Sequence, residues 1–480
     1  MILLKSKNPF ITKKEVTKLH LLNYLLENGS VNLDDLIDLY NTSQRTARNL
    51  VIELLEDITS VDRSLDISLI GNTLKFGNNF KSKVYLKVYK TLQLTYYENS
   101  ISFQLFILLY KSKSISVYDL VEKLGVSQSY LYKLIKNLSM LLKSWAVDVQ
   151  IDIQAYKVSL IGDESEIRCI AYYIFSLVFN TMSSKLKLTA AHPSISFVNS
   201  SKYAPTTNQL ITIVEKIFIL RQQQLMYVAE LRQEESDFVS LIKRICPTYA
   251  LSSFDNNESS CMLLWLVYVA PDIITTDEKK KIGEELWQND SGTATLFKSF
   301  IQSLKKEFGC SKDTMYLLMW EYYARFIVYR YFKCWKYKNI IEIKRSKNKF
   351  IDQISAISMV QLKGILPPLS TDQYIDELSE LTYSYLNLLI PLKIHVDLLE
   401  YSSIRVFIEN ILKHSYSNEV LLFTDNPQES DLIITNVISA DVTDKELFFF
   451  TDINSKTNWE ELGKAIQRHL LKINWPIPHS

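Results

Sequence analysis

Glycine and proline are scarce in this chain, 10 and 11 among 480 residues. Leu, Ile, Lys and Tyr abound instead, so most of the chain is expected to be helical. There is no glycine-rich loop of the kind that cradles a phosphate. The five cysteines, Cys169, Cys246, Cys261, Cys310 and Cys334, are odd in number, scattered, and without a C-x-x-C pair. That excludes a disulfide framework and a zinc site, and makes each a small buried apolar residue. No run of about 18 uncharged apolar residues exists to cross a bilayer. The opening MILLKSKNPFITKK has no apolar core long enough for a signal peptide. The expected location is cytoplasmic. No clustered acid–base constellation is present either, so no enzyme activity, catalytic residue, metal or cofactor is expected.

Net charge is also low, +1 overall, but it is unevenly spread. Residues 1–161 hold 20 lysines and arginines against 15 aspartates and glutamates, and residues 162–391 hold 26 against 25. Residues 392–480 hold 8 against 13. A basic excess confined to the first third suits steering toward a polyanion, and the acidic end does not. At this length the chain should hold several domains.

What is present is clearest from Ser114 to Leu142, SISVYDLVEKLGVSQSYLYKLIKNLSMLL. Val117, Leu120, Val121 and Leu124 fall at i, i+3, i+4 and i+7, one apolar helical face. Gly125 can take the left-handed conformation that ends a helix, and Ser127 is a good cap for the next. The second helix buries Leu131, Leu134, Ile135 and Leu138. Its other face offers Ser127, Gln128, Ser129, Tyr130, Tyr132, Lys133, Lys136 and Asn137. That is a helix-turn-helix with a polar, cationic recognition face suited to phosphates and base edges.

Shifting the chain by 84 residues repeats the pattern. Leu33, Leu36, Ile37 and Tyr40 underlie Val117, Leu120, Val121 and Leu124. Asn32 and Ser116 are read as caps of the first helix, with Asp35 and Asp119 placed as in a capping box. Beyond the helices, Leu65, Ile67 and Leu69 alternate, turn at Gly71-Asn72 and resume at Leu74 and Phe76. Val149, Ile151 and Ile153 alternate likewise, turn near Ala155 and resume at Val158 and Leu160. Each is read as a hairpin, the wing of a winged helix. An ungapped repeat of helices, turn and hairpin points to tandem winged-helix units, roughly 12–80 and 98–162.

The first recognition helix offers Ser43, Gln44, Arg45, Thr46, Arg48 and Asn49, but ends in Glu53, Glu56 and Asp57. Arginines near a helix start reach guanine edges, and lysines mainly phosphates. With its basic face less offset by acid, the second helix is expected to dominate DNA affinity. The alternative for every charged residue named is a solvated face.

After GDESEIR comes a series of amphipathic helices. Ile170, Tyr173, Ile174 and Leu177 mark one, and Ile211, Val214, Ile217 and Phe218 another. Cys261 to Val269 is expected to be buried, and Met315 to Phe332 is an aromatic helix. Two helical domains divided near residue 281 fit this stretch. The lysine-rich Lys333 to Lys349 is read as a solvated face, or else as a second DNA contact.

The C-terminal end alternates strand and helix: strands near Lys393–Leu398, Val420–Thr424, Leu432–Thr435 and Leu447–Phe450, helices at Ser402–His414 and Trp459–Lys472. That implies a small three-layer parallel sheet.

Taken together, the chain resembles the Mga/AtxA family of transcriptional regulators. The paired SQ-initiated recognition helices and the LIGDESEIR junction at Leu160 to Arg168 carry the resemblance, which spans the whole length. It implies a multidomain, mainly α fold with a tandem winged helix-turn-helix, 1–82 and 98–162. Two helical-bundle regulation domains of the phosphotransferase-system kind follow, 163–281 and 282–390, then a small α/β enzyme IIB-like domain, 391–480. In such regulation domains phosphocarrier proteins phosphorylate histidines. Of six histidines only His192, in LTAAHPSISF, lies between 163 and 390. It is the phosphorylation candidate, or an ordinary loop histidine beside Pro193. Enzyme IIB domains carry a nucleophilic cysteine after their first strand, where a phosphate-cradling loop lowers its pKa. The corresponding Leu399-Glu400-Tyr401-Ser402-Ser403 has no cysteine, which leaves an interaction domain.

The function so implied is a DNA-binding transcriptional regulator that responds to phosphotransferase status. Its partners would be double-stranded DNA, a second copy of itself in a homodimer and phosphocarrier proteins, with no membrane. Two rivals are a phosphotransferase-system component and an RNA-binding antiterminator. The first lacks the cysteine, and the second begins with a β-rich module rather than a duplicated winged helix.

Overall fold

The computed structural model describes residues 3–4, 10–63, 65, 67–76, 82–145, 148–176, 203–246, 256–333, 341–342, 349–365, 368–386, 390–398, 402–417, 420–436, 446–450 and 454–474. They divide into two compact units, Met1–Gln288 with Trp320–Ile343, and Asn289–Met319 with Lys344–Ser480. The chain is mainly helical with small sheets. No helix among the described residues is long and apolar enough to cross a membrane.

The first unit opens with α1 (Lys13–Asn28), started by a capping box in which Thr12 Oγ1 accepts from Glu15 N and the Glu15 carboxylate accepts from Thr12 N. Then come β1 (Ser30–Asn32), α2 (Leu33–Tyr40), α3 (Gln44–Val61) and a hairpin of β2 (Ile67–Ile70) and β3 (Thr73–Phe76). Strand β3 lies between β1 and β2, antiparallel to both. Helix α4 (Ser82–Asn99) packs on α1 and α3. A second round follows: α5 (Ile101–Tyr110), β4 (Ile115–Ser116), α6 (Val117–Leu124), α7 (Gln128–Ser144), β5 (Gln150–Gln154) and β6 (Lys157–Ile161). Here β6 is the central strand.

The repeat is a repeat of cores. Leu33, Leu36, Leu50, Leu54 and Leu74 are buried, as are their partners Val117, Leu120, Leu134, Leu138 and Val158. The register also reaches upstream of the helix-turn-helix, where Leu19, Leu21, Leu22 and Leu25 of α1 match Phe103, Leu105, Phe106 and Leu109 of α5, all buried. Preceding helix, short strand, two further helices and hairpin thus share one internal pattern. The caps differ from the boxes expected. Ser116 Oγ accepts from Asp119 N at 3.0 Å, whereas Asn32 Oδ1 accepts from Asp34 N at 3.2 Å, one residue earlier than a box requires. Neither shows the returning carboxylate bond that Thr12 and Glu15 make.

After the second hairpin, α8 (Glu164–Ser176) is buried along nearly its whole length. It packs on α9 (Pro205–Gln222), which packs on α11 (Asn256–Val269). Helix α10 (Gln233–Ile245) lies against α11 and α12 (Thr276–Gln288); residue 281 falls inside α12. Helix α13 (Gly292–Phe308) belongs to the second unit, and α14 (Lys312–Phe332) gives its Trp320–Phe332 part to the first. Aromatic edges fill this core: Trp265 meets Tyr172 at 5.3 Å and Phe332 at 4.8 Å between ring centroids. Cys169, Cys246 and Cys261 are buried and not in disulfides. Burial pushes the Cys261 thiol up to about 12, so it stays protonated and inert. Cys310 is partly exposed, against expectation.

Several charged side chains are sunk in the same unit, and Glu164, Arg168, Arg221 and Glu258 among them form one network. Arg168 and Arg221 are 1% and 0% exposed. Arg168 Nε donates to Glu164 Oε1 at 2.9 Å, Nη1 to Glu258 Oε2 at 2.5 Å and Nη2 to the Met226 carbonyl at 2.8 Å. Arg221 grips Glu164 at 2.8 and 2.7 Å and the Tyr110 carbonyl at 3.0 Å. Glu258 Oε1 accepts from Val228 N at 2.9 Å. Charges this deep persist only when paired and hydrogen-bonded, and these are. Through Tyr110 the network ties α5 to the helices behind it.

In the second unit, α13 packs on α15 (Lys349–Gln361) and α15 on α16 (Pro368–Leu386). A parallel sheet follows, formed by β7 (Leu392–Asp397), β8 (Leu421–Phe423), β9 (Leu432–Thr435) and β10 (Glu446–Phe449) in the order β8-β7-β9-β10. All four residues of β9 are buried, as a strand covered on both faces requires. Helices α17 (Ser402–Ser415) and α18 (Lys456–Asn474) pack against β7. His192, Cys334, residues 399–401 and most of the Lys333–Lys349 stretch lie outside the described residues.

Candidate nucleic-acid interface

In each helix-turn-helix the turn is made the same way. Gly125, at φ 62°, donates to the Glu122 carbonyl and is followed by a Val126 N to Val121 O bond of 3.2 Å. Asn41, at φ 44°, repeats this with Asp38, and Thr42 N donates to Ile37 O at 3.1 Å. Asparagine is one of the few side chains that tolerates this left-handed region, so it can stand where the second repeat has glycine. The recognition helices start on serine caps: Ser43 Oγ accepts from Thr46 N and Ser127 Oγ from Tyr130 N, both at 3.3 Å.

The faces divide cleanly. In α7, Leu131, Leu134, Ile135, Leu138 and Leu142 are buried. Gln128, Ser129, Tyr130, Tyr132, Lys133, Lys136 and Asn137 are all exposed, beside the exposed cap Ser127. In α3, Ala47, Leu50, Val51, Leu54 and Ile58 are buried, and Gln44, Arg45, Thr46, Arg48 and Asn49 are exposed, again beside the exposed cap, Ser43. None of Arg45, Arg48, Lys133 and Lys136 forms an ion pair among the described residues, so all four keep their charge available to a phosphate or a base edge. Some of the side chains have local partners: Thr46 Oγ1 lies 2.9 Å from Ser43 Oγ, Ser129 Oγ lies 3.2 Å from Ser127 Oγ, and Gln128 Nε2 lies 3.5 Å from Tyr132 Oη.

The acidic end of α3 is not the open counter-charge that its sequence suggested. Lys14 Nζ on α1 donates to Glu53 at 2.5 Å, and Lys18 Nζ lies 2.7 Å from Asp57 and 3.3 Å from Glu53. Tyr96 Oη of α4 donates to Asp57 as well, at 2.5 Å. The Lys14 hydrogen bond, with help from Lys18, holds the Glu53 carboxyl below its usual range. Glu53 and Asp57 therefore fasten α3 to α1 and α4. Glu56 is the exposed acid of the three. A salt bridge between helices 39 residues apart carries no local signal in sequence.

Two exposed aromatics escaped the sequence reading. Tyr118 of α6 is 75% exposed, and Tyr156, in the two-residue turn of the second hairpin, is 76% exposed. Ala155 and Tyr156 both have positive φ, 47° and 60°, the geometry of the tight turns that match strand twist. A signal for Tyr118 was present: it falls off the apolar stripe of α6. Among the histidines described, His395 Nδ1 lies 2.8 Å from the Thr424 carbonyl and His469 Nε2 lies 3.1 Å from Glu446. Both contacts are within the parallel-sheet region.

Residues 87–175 match the family model described as the Mga helix-turn-helix domain. The match runs from α4 through α5, α6, α7 and the second hairpin into α8, and so falls on the second repeat. A comparison with curated proteins gives no match. The matched domain supports a DNA-binding transcriptional regulator.

Proposed function

We propose that this chain is a transcriptional regulator of the Mga/AtxA type that grips duplex DNA with both recognition helices. The observation that carries the reading is the duplication: two serine-capped helices on one buried pattern, each presenting an exposed polar face with two cations. A single such helix is common in helical bundles; two in one register, with hairpins behind, match the demands of groove recognition. Ser43, Gln44, Arg45, Thr46, Arg48 and Asn49 form one face, and Ser127, Gln128, Ser129, Tyr130, Tyr132, Lys133, Lys136 and Asn137 the other. The domain limits follow the sequence reading: winged helices at 1–82 and 98–162, regulation domains at 163–281 and 282–390, an enzyme IIB-like domain at 391–480. The protein acts as a homodimer whose activity follows phosphotransferase status, with His192 as the phosphoacceptor and residues 392–480 as the self-association surface.

The deciding test compares retention of duplex DNA and hairpin RNA by the full chain at matched salt. Preference for the duplex, weakened by Lys133→Ala with Lys136→Ala, supports the reading; equal retention of RNA sinks it. For the regulatory part, purified phosphocarrier proteins and a phosphoryl donor should place acid-labile label on the native chain and not on His192→Ala.

A further inference from the structure

Lys333 follows the last residue of α14 and has φ 50°, the left-handed region where a side chain is strained and glycine is the usual occupant. Its ammonium donates to Glu166 Oε1 and lies 3.6 Å from Asp163 and 4.0 Å from Asp148. Glu166 is 0% exposed, and its other oxygen accepts from Asp148 N at 3.2 Å. Burial alone would lower the lysine pKa, but the hydrogen bond and charge of Glu166, with Asp163 and Asp148 behind it, raise it instead. The cation is therefore fixed at any physiological pH.

These partners sit where the second hairpin begins and ends. Asp148 enters β5, and Asp163 follows Gly162 beyond β6. At Gly162, φ 148°, the two ends run so close that a Cβ would stand 2.8 Å from the Asp148 carbonyl oxygen. Glu166 and Arg168 lie on the same buried helix, so the base of the hairpin and the Glu164–Arg168–Arg221–Glu258 network share one support. At the matching positions of the first repeat stand Ser64, Asn79 and Ser82, which carry no charge to hold a lysine.

We propose that Lys333 is a positioning residue for DNA binding: by clamping Glu166 it holds the second hairpin to α8, so that the helical unit sets how α7 and its hairpin meet DNA. The inference rests on the proposed function only for its DNA part; the clamp itself is testable without DNA.

The test uses the full chain with Lys333→Met, Glu166→Gln and Lys333→Arg, reading amide exchange and duplex affinity together. Lys333→Met and Glu166→Gln should each speed exchange across 148–161 by about tenfold, leave 67–76 unchanged, and lower duplex affinity by a similar factor. Lys333→Arg should restore both. Because Lys333 acts through protein contacts, the slope of affinity against salt should stay at the native value; a fall of about one unit would make it a phosphate ligand and overturn the positioning role. Exchange in α9 and α11 reports whether a variant is folded. If Lys333→Met unfolds the chain, the isosteric Glu166→Gln decides. Unchanged exchange at 148–161 in a folded variant overturns the clamp. Failure of the native chain to retain duplex would overturn the proposed function, and exchange alone would then judge the clamp.

Discussion

The two helix-turn-helix repeats share a core and differ in what holds them. In the first, α3 is tied sideways to α1 and α4 by Lys14, Lys18 and Tyr96 acting on Glu53 and Asp57. At the matching positions of the second stand Glu98, Ser102, Asn137 and Leu141, which cannot form those pairs. The second is instead fastened behind, through Tyr110 to Arg221 and through the hairpin base to Glu166. Among the described residues, these side-chain braces of the first repeat run to α1 and α4, whereas those of the second reach the helices that follow it. Through them the second repeat is placed to feel a change in those helices.

The largest effect should come from breaking the rear brace. Replacing Arg168 by Met leaves Glu258 buried without its cation, while Glu164 keeps Arg221. Removing one partner of a buried pair costs about 3–5 kcal/mol. Urea unfolding followed by amide exchange should show that loss in 148–176 and leave 13–76 near its native stability. Equal loss in both repeats would mean that they unfold together and that the distinction is not energetic.

Next in size is the division of labour on DNA. With Glu53 and Asp57 engaged internally, the two helices are closer in charge than their sequences suggest, but Glu56 still faces solvent on α3 and Lys143 on α7. The second helix is still expected to dominate affinity, and the arginines of the first add a difference in kind. Removing Lys133 and Lys136 should weaken binding to every duplex and flatten the salt slope by about one unit per lost phosphate contact. Removing Arg45 or Arg48 should cost about 1–3 kcal/mol on a preferred sequence and less elsewhere. Titrations on a panel of duplexes at several salt concentrations separate the two patterns; a uniform loss for the arginine variants would remove base reading from α3.

The contrast also shows what the sequence could and could not carry. Periodicity placed the helices and hairpins because burial follows spacing: Leu131, Leu134, Ile135 and Leu138 are inside, as their register demands. The parallel strands were legible for a similar reason, as short apolar runs between helical patterns. The upstream match of α1 with α5 was harder to see, because Leu19 and Leu22 face Phe103 and Phe106, conserving burial but not residue type. The braces were invisible. Lys333 lies 167 residues from Glu166, and its place at the hairpin base depends on how the intervening helices pack. A charged residue carries no period, so a brace and a solvated face look alike until the fold is known.

The sideways brace of the first repeat should be worth less than the rear one. Lys18 is nearly buried, but Glu53 and Asp57 are each about one-third exposed and can recover water. Lys18→Met should destabilise 13–76 by about 1.5–3 kcal/mol, the range for hydrogen bonds to charged groups, without touching 148–176. Amide exchange in urea again reads both regions at once, and an unchanged midpoint for 13–76 would reduce the brace to surface pairing.

The smallest expected effect separates the repeats by pH. His20 on α1 is half-buried, and burial lowers its pKa below the ordinary value of about 6.5. Its counterpart in α5 is Gln104, whose side chain donates to the Glu98 carbonyl at 2.6 Å and does not titrate. A histidine that resists protonation in the folded state contributes stability that is complete above its unfolded pKa. That stability is lost as pH falls through 6.5 toward the lower folded value. Glu53 also has a depressed pKa, but as a carboxylate it begins to lose its contribution only below about 4.5, so a window from pH 7.5 to 5.5 isolates the histidine. Across that window, local stability from amide exchange should fall in 13–76 and hold in 101–145. In His20→Gln the fall in 13–76 should disappear. If acidification weakens both repeats equally, or the variant keeps the native dependence, the titrating group lies elsewhere and the first repeat is no more sensitive to pH than the second.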